Sequence, residues 1–479
     1  MAIKRVQISA QDLVTGMFVS GLDRPWSQTP FPLQGFHIKD ARDIEKVKSF
    51  SVHVYIDVTR GRSPPPGTRI FSTESDGDSS EKAEAPELYD LPHRRIDPRN
   101  QAATPPKPID IRQGVYRKTV PLRLEAARAE AIVRELKGQL TLLHKQIAKG
   151  RLTNAEGLKK SVDDMVASVL RCPDAFNWLM RLRHTDLHTY DHALRTSMLS
   201  AQFGRYAGMS KEDIALLAMG ALLKDVGKIG IPKSILKSSR RSVEEEDVYR
   251  SFVDHGVEIL RTIENLDPKV ITVVRYHCER YDGSGFPQGV GGGQIPLHAR
   301  IVGIATEYDA ISSPRESLHP VAPSRAVSLI YNMRDKRFQE DLVVKFIQSI
   351  GLYPTGTIVE LTTGDLGIVM EQNPDSRLSP TIAVLDRSPD ADELGDGCVF
   401  IDLKDEAAAR QILTASGRAN IASVPKVTIA RDLEPDVYDV NLLAVSDAFL
   451  NTSSTRRKAS AGKPETRGLL ASLKDKLFK

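Results

Sequence analysis

The chain has 479 residues, too many for one ordinary domain, and its 41% apolar content supplies large buried cores and excludes a wholly disordered chain. Its 66 basic and 62 acidic residues nearly cancel to a net charge of +4, which gives no reason to expect DNA or a membrane surface as partner. The cysteines, Cys172, Cys278 and Cys398, lie far apart, are odd in number and make no CxxC pattern, which excludes a disulfide framework and fits a reducing compartment.

The opening residues, MAIKRVQISAQDL, hold no apolar stretch of a secretory signal. No run of about 18 apolar residues follows, so no transmembrane segment is expected and the cytoplasm is the expected location. Residues 1–62 read as a small α+β domain. Val6 to Ile8 and Met17 to Val19 are short strand-like runs, and Val52 to Val58 alternates apolar and polar with period two. Between them, Asp40 to Phe50 has helical spacing and a candidate aspartate cap. Residues 63–113, with SPPPGTR, STESDGDSSEKAEAPE and AATPPKP, are rich in Pro, Ser and acid and read as a disordered, flexible linker.

Residues 119–353 read as an all-α helical bundle with a preceding helix. That helix, over 119–150, places Val120, Leu124, Ala127, Ile132, Leu136, Leu140, Leu143 and Ile147 near three-and-four spacing. Its two readings are docking on the next domain, which we favour because the repeat is short for a coiled coil, and pairing with a second copy as a dimer. Gly/Pro breaks such as GIPKSIL and DGSGFPQG divide the helices that follow. From Pro354 the period changes to two. Thr357 to Leu361, Gly367 to Met370 and Thr381 to Leu385 read as strands of a small β-rich extension over 354–445. Its strands are expected to end near Asp402, followed by helix and loop. Residues 446–479 read as a flexible basic tail. They close on GLLASLKDKLFK, whose leucines share one helical side; so short a segment is expected to be a frayed helix rather than a surface anchor.

The residues that carry chemistry cluster in the helical part. His184, His188 and His192 lie at i, i+4 and i+8 of RHTDLHTYDH and fall on one helical stripe. Alone, such a stripe is more often a solvated face. Its weight comes from Asp225 in LLKDVGKIGIP, His255 in VDHGVEIL and His277 in RYHCERYDGSGFP, because a bundle holds metal ions with imidazoles and carboxylates from several helices.

ALLKDVGKIGIPKSIL, VDHGVEIL, HCERYDGSGFPQG, IPLHARIVGIA and EYDAISSPRES, in this order, resemble the HD-GYP family over about residues 160–350. LVTGMFVSGLDRPWSQTPFPLQGF resembles a small domain of unknown function that often precedes HD-GYP domains in bacteria, and PTGTIVELTTGDLGIVMEQN resembles the usual C-terminal extension. The resemblance implies a helical HD domain with a two- or three-metal centre that hydrolyses cyclic di-GMP to pGpG and GMP. Bridging metals there activate water and neutralise phosphate charge.

The family's ligands match His192, Asp225, His255 and His277. Three positions depart from the pattern: the histidine of the His-Asp pair is Lys224, the second histidine of the HHE block is Cys278, and a late ligand aspartate is Thr306. The extra acid of three-metal members falls near His188, and the tyrosine of the GYP motif is Phe286. An ammonium has no lone pair and cannot ligate, whereas a thiolate can hold zinc or iron. His192, Asp225, His255, His277 and Cys278 therefore imply one transition metal (iron, manganese or zinc) or none. Lys228 and Arg315 match the family's phosphate-binding cations, Ser284 stands in the loop beside the metal centre, and Asp225 and Lys228 match its catalytic pair. The family's second basic group falls at Leu318, so one phosphate contact is missing, and Asp309 is expected to orient its neighbours. The expected protein is a cyclic di-GMP signalling module with weak or no hydrolysis, binding the nucleotide or docking a diguanylate cyclase or another regulator. The alternative is an active metal-dependent phosphodiesterase.

Overall fold

The computed structural model describes residues 5–23, 35–58, 60–74, 106, 108–112, 114–151, 154–182, 191–238, 240–313, 321–373, 376, 378–385, 398–417, 424, 426–435, 438 and 440–460, with the side chains at 72–74, 180–182, 191 and 452–460 left aside. The N-terminal strands are β1 (Arg5–Ser9), β2 (Phe18–Leu22), β3 (Phe36–His37), β4 (His53–Asp57) and β5 (Ile70–Glu74), with α1 (Ala41–Phe50) between β3 and β4. They pair antiparallel in the order β3-β2-β4-β1-β5. Alternation in β1 and β4 puts Val6, Ile8, Val54 and Ile56 into the core with Met17 and Val19. Asp40 caps α1 by accepting from the backbone N–H of Arg42 and Asp43.

Strand β5 lies inside the segment expected to be linker. It adds to the edge of β1 through a register shift between Gln7 and Ile8. So short a run surrounded by Pro, Ser and acid carries almost no local signal; main-chain pairing with an existing edge is what recruits it. The end of that segment is also attached. The N–H of Arg112 donates to the carbonyl of Ala207, and that of Ile109 to the Asp341 carboxylate at 2.9 Å.

The helical part comprises α2 (Leu122–Ala148), α3 (Glu156–Arg171), α4 (Asp174–Leu182), α5 (Asp191–Ala207), α6 (Lys211–Leu223), α7 (Lys233–Lys237), α8 (Val243–Arg250), α9 (Phe252–Arg261), α10 (Pro268–Tyr276), α11 (Leu297–Ser312), α12 (Pro323–Asn332) and α13 (Glu340–Ile350). Helix α6 is apolar on all sides and packs against α3, α5, α10 and α11. Ser210 caps it at one end, and Lys224 stands at the other. Helix α2 docks on α3 and α4. Its buried face is Leu122, Ala126, Ala129, Val133, Leu136, Leu140 and Leu143, a seam at three-and-four spacing, while Leu124 is 70% exposed. The expected face was thus partly misplaced: Val120 precedes the helix and Leu124 points outward, because Leu122 fixes the phase of the stripe.

The C-terminal strands β6 (Ile358–Leu361), β7 (Leu366–Glu371), β8 (Thr381–Val384), β9 (Val399–Asp402) and β10 (Ile429–Asp432) pair in the order β10-β6-β7-β8-β9. The sheet does not stop near Asp402. After α14 (Glu406–Ala415) the chain returns and β10 joins β6. Helix α15 (Leu442–Ser460) begins with buried Val445 and sets Phe449 edge to face with Phe400 at 5.4 Å, so the first turns of the expected tail are docked. GLLASLKDKLFK lies outside the described residues. Among the described residues no helix is long and apolar enough to cross a membrane.

Candidate functional site

Five helices and one turn meet at Asp225. Helix α6 ends at Lys224, and the chain continues through Asp225 into a 3-10 turn, Val226–Gly230, which carries Lys228. This turn can lie against α9 only because residue 227 is glycine. A Cβ there would stand 1.9 Å from the Phe252 carbonyl oxygen and 2.4 Å from the Gly256 nitrogen. Helix α5 brings His192 in its first turn, α11 brings Asp309 and Thr306, α9 brings His255, and the end of α10 brings His277 and Cys278.

The Lys224 side chain is wholly buried, and its ammonium donates to Asp225 Oδ2. Lys228 Nζ lies 2.7 Å from Asp225 Oδ1, and His192 Nε2 lies 3.9 Å from Oδ2. Burial alone would push the Asp225 carboxyl up, but Lys224 and Lys228 outweigh it and hold the group well below the ordinary carboxylate range. Burial pulls the Lys224 ammonium below its usual value, with Asp225 opposing. The two ammonium groups share one carboxylate, Lys224 on Oδ2 and Lys228 on Oδ1. Lys228 is the one nearer solvent, with its Nζ over the rings of Phe252 and Tyr249 at 4.9 and 5.8 Å.

A second pair stands behind the first. Asp309, buried, lies 2.7 Å from His192 Nδ1 through Oδ2 and accepts from Arg195 Nε at 2.7 Å through Oδ1. Burial would raise its carboxyl, yet Arg195 and His192 hold it below the ordinary range. Burial, then Lys224, keeps His192 neutral-leaning, its value lowered despite Asp309. Asp309 thus holds one nitrogen of His192 and the Arg195 guanidinium together.

Of the remaining candidates, His277 and Thr306 are bonded elsewhere, and His255 Nδ1 is not. His277 is buried, with Nδ1 2.7 Å from the Val274 carbonyl and Nε2 3.2 Å from the Cys278 sulfur. Burial and Lys224 pull the imidazole down to about 3, and burial pushes the Cys278 thiol up to about 12. Thr306 turns its hydroxyl back to the Val302 carbonyl of its own helix at 2.7 Å. His255 leaves Nδ1 buried and without a hydrogen-bond partner, close against Gly230. Ser284 donates its backbone N–H to Asp282 at 2.9 Å inside the DGSG turn. Arg315, His184, His188 and Leu318 lie outside the described residues.

Among the described residues, no three His, Cys, Asp or Glu side chains converge as a group able to hold a metal ion. What opposes one is the Lys224 ammonium, which has no lone pair and occupies Asp225 Oδ2, and the contact of His277 Nε2 with the Cys278 sulfur; His192 and His277 are each held through Nδ1, which is how a ligating imidazole is oriented, and His255 keeps a buried nitrogen without a partner.

Three residues of this neighbourhood were missed by sequence reasoning. Arg195 is three positions after His192 on the same stripe, a signal that could have been used. His144 of α2 feels the Asp225 charge, but nothing local in α2 announces that this helix reaches the site. Glu279 is buried, and its Oε1 accepts the N–H of Gln288 and Gly289 at 2.7 and 3.2 Å, holding the GFPQG segment.

A model of the HD domain matches residues 179–342, and a model of a domain of unknown function, DUF3391, matches residues 5–158. The chain is 26% identical over 385 residues to a cyclic di-GMP phosphodiesterase of Pseudomonas aeruginosa, covering 80% of this chain and 85% of that protein. It is 35% identical over 147 residues to the cyclic di-GMP phosphodiesterase response regulator RpfG of Xanthomonas campestris, covering 30% and 39%. It is 30% identical over 218 residues to a cyclic di-GMP phosphodiesterase of Thermotoga maritima, covering 45% and 56%. A solved HD-GYP-type protein from Bdellovibrio bacteriovorus aligns with TM-score 0.41 and 14% identity over 72% of this chain and 98% of that one. The motif blocks that sequence alone had picked out sit within the matched HD region, and the chain carries an HD domain behind a matched domain of unknown function.

Proposed function

We propose that this protein is a cyclic di-GMP signalling protein whose HD site is degenerate and which acts as a regulatory or binding module rather than as an efficient hydrolase. The observation that carries the reading is Lys224, whose ammonium is wholly buried on the carboxylate that the family uses to bridge metals. A lysine supplies positive charge there without ligating, so it can neutralise Asp225 but cannot lower the pKa of a bound water as a Lewis acid does. Lys228, the more exposed of the two ammonium groups on Asp225, is the cation that a phosphodiester would meet first. The names of the curated relatives support cyclic di-GMP as that ligand. Ser284 and Arg315 belong to the same proposed binding surface by their place in the motifs, and a diguanylate cyclase, another regulator or a second copy of the chain are the partners this reading proposes.

Metal analysis and turnover test it together. The purified protein is expected to hold well under two metal ions per chain, and to form no pGpG above a control when incubated with cyclic di-GMP and Mn²⁺ or Fe²⁺. The triple variant Lys224→His, Cys278→His, Thr306→Asp is expected to gain metal before it gains rate. Hydrolysis by the wild type as fast as by that variant sinks the reading. The retained His192, Asp225, His255 and His277, with relatives named phosphodiesterases, favour the second reading, hydrolysis at an altered site with one iron, manganese or zinc ion. The same two assays decide between them.

A further inference from the structure

The turn between α12 and α13, residues 333–339, is gripped from two sides. On one side stands α1 of the N-terminal domain. Its buried Asp43 accepts from the buried Arg334 guanidinium through both carboxylate oxygens, at 2.8 and 3.1 Å. Around this pair, Lys39 Nζ donates to the Asn332 carbonyl at 2.6 Å, Arg42 to Asp335 at 3.3 Å and Lys46 to Glu340 at 2.9 Å. Arg334 also lies over the Tyr331 ring at 4.0 Å, and Phe36 meets that ring edge to face at 6.4 Å.

On its other side the same turn carries the loop beside the site. The N–H groups of Tyr281 and Asp282 donate to the carbonyls of Arg337 and Lys336, both at 2.9 Å. From there the loop folds back, with the Phe286 N–H on the Cys278 carbonyl at 3.3 Å. Glu307 ties the two segments again by accepting from Arg280 at 3.1 Å and Arg337 at 2.9 Å. The turn has little freedom to absorb a change on one face, since Asp335 sits at φ 59°, where non-glycine residues are uncommon.

We propose that α1 of the N-terminal domain regulates the DGSGFP loop through this turn: an event at α1 that draws Asp43 off Arg334 frees the amides of Tyr281 and Asp282 and loosens the loop over the site. The consequence for nucleotide handling rests on the function proposed above, while the relay itself is a matter of contacts.

Hydrogen exchange of the full chain, without nucleotide, tests the relay. Asp43→Asn is expected to speed exchange at the Tyr281 and Asp282 amides by about tenfold and to leave the amides of α6 unchanged. Should that variant not fold, the rim variant Arg42→Ala with Lys46→Ala, in which Arg42 is 72% exposed, is expected to speed the same two amides by about threefold. Unchanged exchange at both amides in a folded variant overturns the proposal, as does equal acceleration throughout α6, which would report general loosening. Metal uptake or turnover by the wild type would sink the functional reading and leave this result standing.

Discussion

Lys224 approaches Asp225 from the interior: the lysine side chain is wholly buried while its neighbour along the chain keeps a fifth of its side chain exposed. The two partners are therefore not equivalent. Asp225→Asn leaves the Lys224 ammonium, out of reach of water, without its counter-ion and is expected to cost about 3–5 kcal/mol. Lys224→Met leaves Asp225 with Lys228 and is expected to cost only about 1–2 kcal/mol. Denaturant midpoints compare them, and a larger loss for Lys224→Met would contradict the arrangement. Because the Asp225 carboxyl is depressed in the folded state, its contribution is present above its ordinary 3.8 and is lost as pH falls through the lower folded value. Asp225→Asn should remove that part of the acid sensitivity.

Glu279 predicts the opposite slope. Burial raises its carboxyl from 4.5 to about 7 even though Gln288 and Gly289 donate to it, and its Oε2 is buried without a partner. Between those values the unfolded chain loses the proton first, so stability falls as pH rises through the window, by on the order of 3 kcal/mol. Glu279→Gln keeps an oxygen for the two N–H groups and removes the titration. Its melting temperature should change less between pH 5 and pH 8 than that of the wild type; parallel pH profiles would refute the assignment.

Gly227→Ala should be among the worst single methyl additions in the chain. The new Cβ meets main-chain atoms of Phe252 and Gly256, which cannot rotate away, so the turn bearing Lys228 must part from the helix bearing His255. A loss of about 3 kcal/mol or more is expected. Gly138→Ala, in α2, meets nothing within 4 Å and serves as the control expected to be neutral or stabilising.

The docking of α2 gives a further test. Leu136 and Leu140 are fully buried against α3 and α4. Leu136→Ala is expected to cost about 2–5 kcal/mol in thermal or chemical unfolding and to leave the sedimentation behaviour of the folded protein unchanged. A shift from dimer to monomer with little loss of stability would instead assign this face to a second copy.

Much of this architecture could be read from local pattern. Alternation marked β4, short apolar runs marked β1, β2, β6, β7 and β8, and the helical seam marked α2, because each pattern lies within one element. The strands β5 and β10 escaped for the converse reason: each is a short addition to an edge built elsewhere, β5 on β1 and β10 on β6. Phase was also beyond the pattern in α2, where Leu124 satisfies the spacing and yet faces outward.

For the site, the chain order of residues sufficed to find the HD region and to single out His192, Asp225, Lys228, His255 and His277 as candidates, because the motif blocks are short and each lies within one helix or turn. It also sufficed to see that Lys224, Cys278 and Thr306 are poor substitutes for the family's ligands, since lone pairs and charge belong to residue type. Whether Lys224 would point out to water or in toward Asp225, that Arg195 would share Asp309 with His192, and that His144 would feel the site from a helix far away in sequence, were decided by how α2, α5, α6 and α11 pack. Residue type sets what a side chain can bond to; only the packed helices set which partner is within reach and how much water remains to compete.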